Sequence, residues 1–252
     1  MNLDQAIEEF KNYTKDYINL SDKCVLKINH TLRVVKRCEE IAESLDLSKH
    51  DIELAKLCGL LHDIGRFEQW KRYETYYDEK SVNHALLGVE VLTTDNYIKK
   101  YVDNEEDEEV ILNSIKYHSR YQIPQYLNER DKMFCNIVRD ADKLDILYLY
   151  TIGQLGSKKV EEPFSEKVYQ KLLNKEEIKS TDKKTKGDII SISLGFVFDI
   201  NFNKSLEILS EEKYLDKVID LYQERTTNEE FKSQLEEVRK VINKYIKERI
   251  GC

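Results

Sequence analysis

Scarcity of turn-formers constrains this chain more than any other feature: its 252 residues include only 8 glycines and 2 prolines. A β-sandwich or barrel needs many tight turns, and those draw heavily on glycine and proline. Long helices joined by few connections meet the limit, because helix interiors exclude both residues. Hydrophobic residues make up 40% of the chain, enough for a sizeable core, and charged residues another 35%. The expected fold is all-α or mainly so, at a length that suits one large domain or one domain with an appended part.

Residue spacing places the helices. Ala6, Ile7, Phe10, Tyr13 and Tyr17 form one face over residues 3–18, and Ile28, Leu32, Val35, Cys38, Ala42 and Leu45 form another over 25–45. Ser48 with Asp51 starts a third helix in the style of a capping box, which runs through LAKLCGLLHDI to Gly65, read as a left-handed terminator. Ser81 starts a fourth, and further helices are expected over 107–118, 130–155, 164–177 and within 205–249. The segment 187–203, with IISISLGFVFDINF, fits a short β-hairpin or a buried helix, and its helical surroundings favour the helix. These elements suggest a helical core over 1–155 and a helical extension over 156–252 packed on it, together one compact unit.

Charge and cysteine usage exclude several roles. The net charge is −8, whereas a protein that grips duplex nucleic acid through its phosphates usually presents a basic surface. The five cysteines, Cys24, Cys38, Cys58, Cys135 and Cys252, are scattered and form no CxxC pair, which argues for free thiols, a reducing cytoplasmic setting and no cysteine zinc site. No apolar run approaches the roughly 20 residues that span a bilayer.

The chemistry-bearing residues are few. Of five histidines, His50 lies in a polar helix start and reads as a surface residue, while His30, His62, His84 and His118 fall near helix ends or on inner faces. His62 and Asp63 are adjacent in CGLLHDIGR, so a nitrogen and a carboxylate leave one corner of backbone and can share one divalent cation. Asp142 continues the stripe of Phe134 and Val138, where a carboxylate is costly unless paired or bound to metal. Each residue alone has a plainer reading, as a helix cap, a satisfied polar group or a buried ion pair. Imidazole with carboxylate suits Mn, Fe, Co, Ni or Zn better than Mg or Ca, which favour oxygen shells, and such an ion can lower the pKa of a bound water. Arg66, Lys143 and Arg33 are the cations near these positions, and each is a candidate for a substrate phosphate. Phe67, Trp70, Tyr73, Tyr76 and Tyr77 follow closely and read as loop packing or as a surface for a nucleobase.

The set is more specific than its members. Its order, H-x31-HD-x20-H-x33-H-x23-D, resembles the HD superfamily of metal-dependent phosphohydrolases, named for its adjacent His–Asp pair. The resemblance covers about residues 25–150 and is sharpest at LLHDIGR. It implies an HD-domain-like helical bundle in which His30, His62, Asp63 and Asp142 hold one divalent transition metal. His84 and His118 would hold a second, with Asp63 as the catalytic bridging ligand that orients the water. In a one-metal variant the latter two histidines grip substrate instead. The implied substrate is a small phosphorylated molecule, a nucleotide before others, cleaved at a phosphomonoester or phosphodiester. A non-catalytic metal- or nucleotide-binding regulator and a di-iron oxygenase are the alternatives on the same fold. YHSRYQIPQYL lacks the GYP tripeptide and paired histidines of the cyclic-dinucleotide subfamily, and HDIGRFEQW lacks the acidic residues of the synthetase/hydrolase subfamily. Residues 156–252 would shape the substrate pocket or an interface between copies of the chain.

Overall fold

A computed structural model of the chain describes residues 3–156 and 159–251. Among the described residues there is no β-strand, in keeping with the scarcity of turn-formers. The chain divides into two compact units, Met1–Asp142 and Lys143–Cys252, and the division falls within one helix.

The first unit begins with α1 (Leu3–Ile18), α2 (Asp22–Ser44), α3 (Lys49–Leu61) and α4 (Ile64–Tyr73), followed by α5 (His84–Thr93), α6 (Glu105–Tyr117) and most of α7 (Glu129–Thr151). Short polar side chains start α2, α3, α5 and α6. Ser21 Oγ accepts from Lys23 N at 3.2 Å, Ser48 Oγ from Asp51 N at 3.1 Å, Asn83 Oδ1 from Leu86 N at 2.9 Å and Asn104 Oδ1 from Asp107 N at 2.8 Å. The expected start at Ser81 therefore moves to Asn83, because Ser81 belongs to the turn after a 3₁₀ segment at Asp78–Lys80. The core of this unit includes Phe10, Ile41, Leu60, Leu61, Ile64, Phe67, Leu92, Ile98, Tyr101 and Phe134, all fully buried.

Two features of α2 to α5 differ from the sequence reading, and both shape the centre. Of the expected stripe Val35, Cys38 and Ala42 are buried, but Leu32 is 37% exposed, and His30, Val34 and Ile41 are buried as well, so the buried face of α2 leaves out Leu32 and takes in His30. Gly65 is no terminator. It lies inside α4, and a Cβ placed there would meet His84 O at 2.3 Å and Gly88 N at 2.5 Å. The break instead falls at His62 and Asp63, with α3 capped by His62 and α4 by Asp63. Gly65 is needed because α4 and α5 touch backbone to backbone, which brings the first residue of α5 beside Asp63. Gly59 makes room between α3 and α2 for a side chain rather than backbone, since a Cβ there would stand 2.8 Å from Cys38 Sγ.

The second unit contains the end of α7, α8 (Glu166–Leu173), α9 (Ser191–Gly195), α10 (Asn203–Glu211), α11 (Tyr214–Glu224) and α12 (Glu229–Ile250). The β-hairpin reading of 187–203 is corrected: 3₁₀ turns at Gly187–Ile190 and Phe196–Asp199 flank α9. Ile190, Leu194 and Val197 are buried, a spacing that suits helical turns better than alternation along a strand. Tyr222, Phe231, Leu235 and Val238 are buried in the same unit. Cys24, Cys38, Cys58 and Cys135 are buried and unpaired, as expected of small apolar thiols. Cys252 lies outside the described residues. No helix is long and apolar enough to cross a membrane among the described residues.

Gly65→Ala should destabilise the protein by about 1–3 kcal/mol or more, since the added methyl meets backbone that cannot swing away. Gly59→Ala should cost less, because its obstacle is the end of a side chain. Denaturant melts of both variants check this, and equal stability of Gly65→Ala and the parent chain would remove the close-approach argument.

Candidate metal centre

The four inward histidines and Asp63 converge on one place. His62 is 0% exposed, His30 2%, Asp63 3%, His84 4% and His118 5%. They arrive from different elements: His30 from the interior of α2, His62 and Asp63 from the α3–α4 break, His84 from the first residue of α5 and His118 from the end of α6. His30 Nε2 and His62 Nε2 are 3.2 Å apart, and His84 Nε2 and His118 Nε2 are 3.0 Å apart.

Asp63 lies between the two pairs, with one oxygen for each. Oδ2 is 3.6 Å from both His30 Nε2 and His62 Nε2. Oδ1 is 3.6 Å from His84 Nε2 and 3.7 Å from His118 Nε2. Two donor groups that could each hold a metal ion result, His30–His62–Asp63 and Asp63–His84–His118. Asp142, on α7, approaches the first pair from another side, with Oδ1 3.2 Å from His30 Nε2 and 3.8 Å from His62 Nε2.

The fit to a cation follows from the ring tautomers. His62 Nδ1 donates to Gly59 O at 2.7 Å and His118 Nδ1 to Ile115 O at 2.7 Å, since a carbonyl oxygen only accepts. His84 Nδ1 donates to the Asp78 carboxylate at 2.6 Å. Each Nε2 is then a bare lone pair when the ring is neutral. Those of His84 and His118 face each other at 3.0 Å with no proton between them. Burial pushes both rings down to about 4, so neutrality is their state near pH 7. Burial also lowers His62. Converging lone pairs beside a carboxylate suit a divalent transition ion and little else.

Opposite charges hold the carboxylates ionised. Burial alone would raise Asp63, yet the Lys27 ammonium, His62 and Arg66 keep it well below the usual range. Asp142 is likewise lowered against the effect of burial, chiefly by the His30 hydrogen bond. Asp78 is lowered by its bond from His84 and by Arg66, again against burial.

The three expected phosphate-binding cations fare differently. Arg66 reaches the centre, with Nε 3.4 Å from Asp63 Oδ1, but its Nη1 faces Gln69 Oε1, Tyr76 O and Asp78 Oδ1, each at 2.8 Å. Lys143 Nζ is held by Asp199 of the second unit, 2.7 Å from the carboxylate and 3.1 Å from the carbonyl. Arg33 is half-buried on α2, one turn beyond His30. His50 is exposed, as expected, and pairs with Asp107 at 2.8 Å. Of the aromatic run, Phe67 is core, while Trp70 and Tyr76 pack together with centroids 5.0 Å apart.

Two participants escaped the sequence reading. Lys27 Nζ is 2.5 Å from Asp63 Oδ2. It precedes His30 by three residues on one helix, and that spacing was the available signal. Asp78 fixes the His84 ring from a 3₁₀ turn, and nothing in its spacing marked it.

The family model described as HD domain matches residues 28–147, which contain all six expected ligands. No curated protein and no solved structure matches the chain.

Two outcomes follow. Asp78→Asn should weaken metal binding by roughly 10–100-fold, the usual cost of losing a carboxylate that orients a ligating histidine, as read by titration against a chelating dye. The metal-stripped protein should also lose stability as pH falls from 6.5 to about 4. There the unfolded chain takes up protons on His84 and His118 that the folded chain refuses, so stability rises with pH across that window. Depressed carboxylates such as Asp78 add their loss only below 3.8. Thermal melts in chelator at stepped pH check the slope, which should lessen in a His84→Gln, His118→Gln variant.

Proposed function

We propose, taking residues 28–147 to be an HD domain, that this chain is a metal-dependent phosphohydrolase acting on a small phosphorylated molecule, a nucleotide before others. The observation that carries the reading is Asp63, which offers one oxygen to each histidine pair. In this reading His30, His62, Asp63 and Asp142 hold one divalent ion, and Asp63, His84 and His118 hold a second. A bound ion supplies an activated water near neutral pH and positive charge for the phosphoryl oxygens.

The protein's own part is to hold these groups still and dry. Gly59 O, Ile115 O and Asp78 fix three ring tautomers, so three Nε2 atoms point inward as bases rather than donors. Asp63 is the proposed catalytic ligand: with one oxygen toward each donor group it would hold both ions and help to orient the water they activate. Arg66 braces Asp63 and the Asp78 turn together, which supports a positioning role beside any contact with phosphate. Arg33 and Lys143 stay in the proposal as more distant phosphate contacts.

The same reading takes residues 1–155 as the metal-binding core and 156–252 as an extension that shapes the substrate pocket or an interface between copies. The four buried free cysteines support a reducing, cytoplasmic setting.

Phosphate release should be measured from nucleotides and model esters with Mn²⁺, Fe²⁺, Co²⁺, Ni²⁺, Zn²⁺, Mg²⁺ or chelator. Turnover should need a transition ion and vanish in a folded Asp63→Ala variant. Metal stoichiometry should fall from two to one in a His84→Ala, His118→Ala variant. Tight metal binding without turnover on any ester would move the reading to a non-catalytic regulator or a di-iron oxygenase.

A further inference from the structure

Asp63 already has a cation on it. Lys27 Nζ sits 2.5 Å from Oδ2, the oxygen that also faces His30 and His62 at 3.6 Å. A metal ion in that donor group needs the same lone pairs of the same oxygen. The lysine side chain is 23% exposed, against 4% for Asp63, so its stem has a way out while the carboxylate has none. Apart from Asp63, its ammonium meets only the face of Tyr76, 5.8 Å from the ring centroid, among the described contacts.

The other cation on Asp63 is differently placed. Arg66 is committed to Gln69, Tyr76 O and Asp78 through one nitrogen and cannot leave without releasing the turn that holds His84. Lys27 carries no such duty. A compact ammonium on a flexible stem can exchange partners where a guanidinium in a network cannot.

We propose that Lys27 is a resident counter-ion of Asp63, displaced when a divalent cation enters the His30–His62–Asp63 group, and that the freed ammonium then binds the substrate's phosphate. The second step rests on the phosphohydrolase reading; the first does not. Lys27 shares with Arg66 the neutralisation of the buried carboxylate, each facing a different oxygen, and of the two it is the one free to leave. Entry of the metal moves a positive charge from ligand to anion-binding site, so the cation and the phosphate are bound in that order.

The test uses the 252-residue chain, stripped of metal, as wild type, Lys27→Met and Lys27→Arg, each checked by circular dichroism for a native melt. Mn²⁺ is titrated calorimetrically, and inorganic phosphate is then titrated into the Mn²⁺-loaded proteins. Lys27→Met, with no ammonium to displace, should bind Mn²⁺ about tenfold tighter and phosphate about tenfold more weakly, the scale of one partly screened charge pair. Lys27→Arg keeps the charge and should follow wild type in direction for both ligands. Equal or weaker Mn²⁺ affinity in Lys27→Met overturns the counter-ion assignment. Unaltered phosphate affinity overturns the transfer to the anion. Neither titration reads turnover, so a wild type that hydrolyses nothing would count against the proposed function while both results here stay readable.

Discussion

A carboxylate buried to 3% exposure is tolerable only with charge or hydrogen bonds against it, and the arrangement around Asp63 follows from that need. Four imidazoles surround it, but burial keeps His84 and His118 neutral and lowers His62 too. The full positive charges are supplied by Lys27 and Arg66. Two cations on the carboxylate, with the bare Nε2 atoms of His62, His84 and His118 close by, leave the cluster rich in lone pairs.

Helix ends make this possible. His62 and His118 each bond the carbonyl three residues back, Gly59 O and Ile115 O. In a helix interior that carbonyl would already accept from the amide four residues on; in the last turn it is an orphan. A histidine at a helix terminus can therefore use it to fix its tautomer, at no cost to the backbone ladder. His84, at a helix start, has no such carbonyl within reach, and Asp78 takes its place. The close approach of Gly65 to His84 O and Gly88 then sets how far α5 stands from the α3–α4 break. One glycine contact thus links helix packing to the position of a ligand.

Much of this was legible in the sequence, for identifiable reasons. Turn-former scarcity reported the helical class because it is a property of the whole chain. The His62–Asp63 pair and the order of the other donors pointed to the residues that cluster here, because donor chemistry is a property of each side chain. What escaped depended on how elements meet. Gly65 reads as a terminator when only its own helix is considered, and as a packing contact once α5 lies against it. Leu32 belongs to an apolar stripe whose members Val35, Cys38 and Ala42 are buried, yet it is itself exposed and His30 lies on the buried face instead. In 187–203 the preference for a helix over a hairpin holds, while its breaking into α9 between two 3₁₀ turns has no signal in the strand-forming residues. Asp78 has no periodicity to betray it, because its role exists only after α4 and α5 close on each other.

The cluster also runs against what stability alone would favour. Facing lone pairs at 3.0 Å and a buried acid that needs two cations replace what could have been apolar packing between α2, α3, α5 and α6. Buried ionic groups of this kind are commonly matched or bettered by hydrophobic residues of similar volume. Their presence where these helices meet therefore calls for a compensating gain. A ligand that binds only the folded state supplies one, since its binding free energy adds to the stability of the fold. The divalent ion that these donors suit would act in both ways, completing the chemistry of the centre and offsetting the cost of having built it.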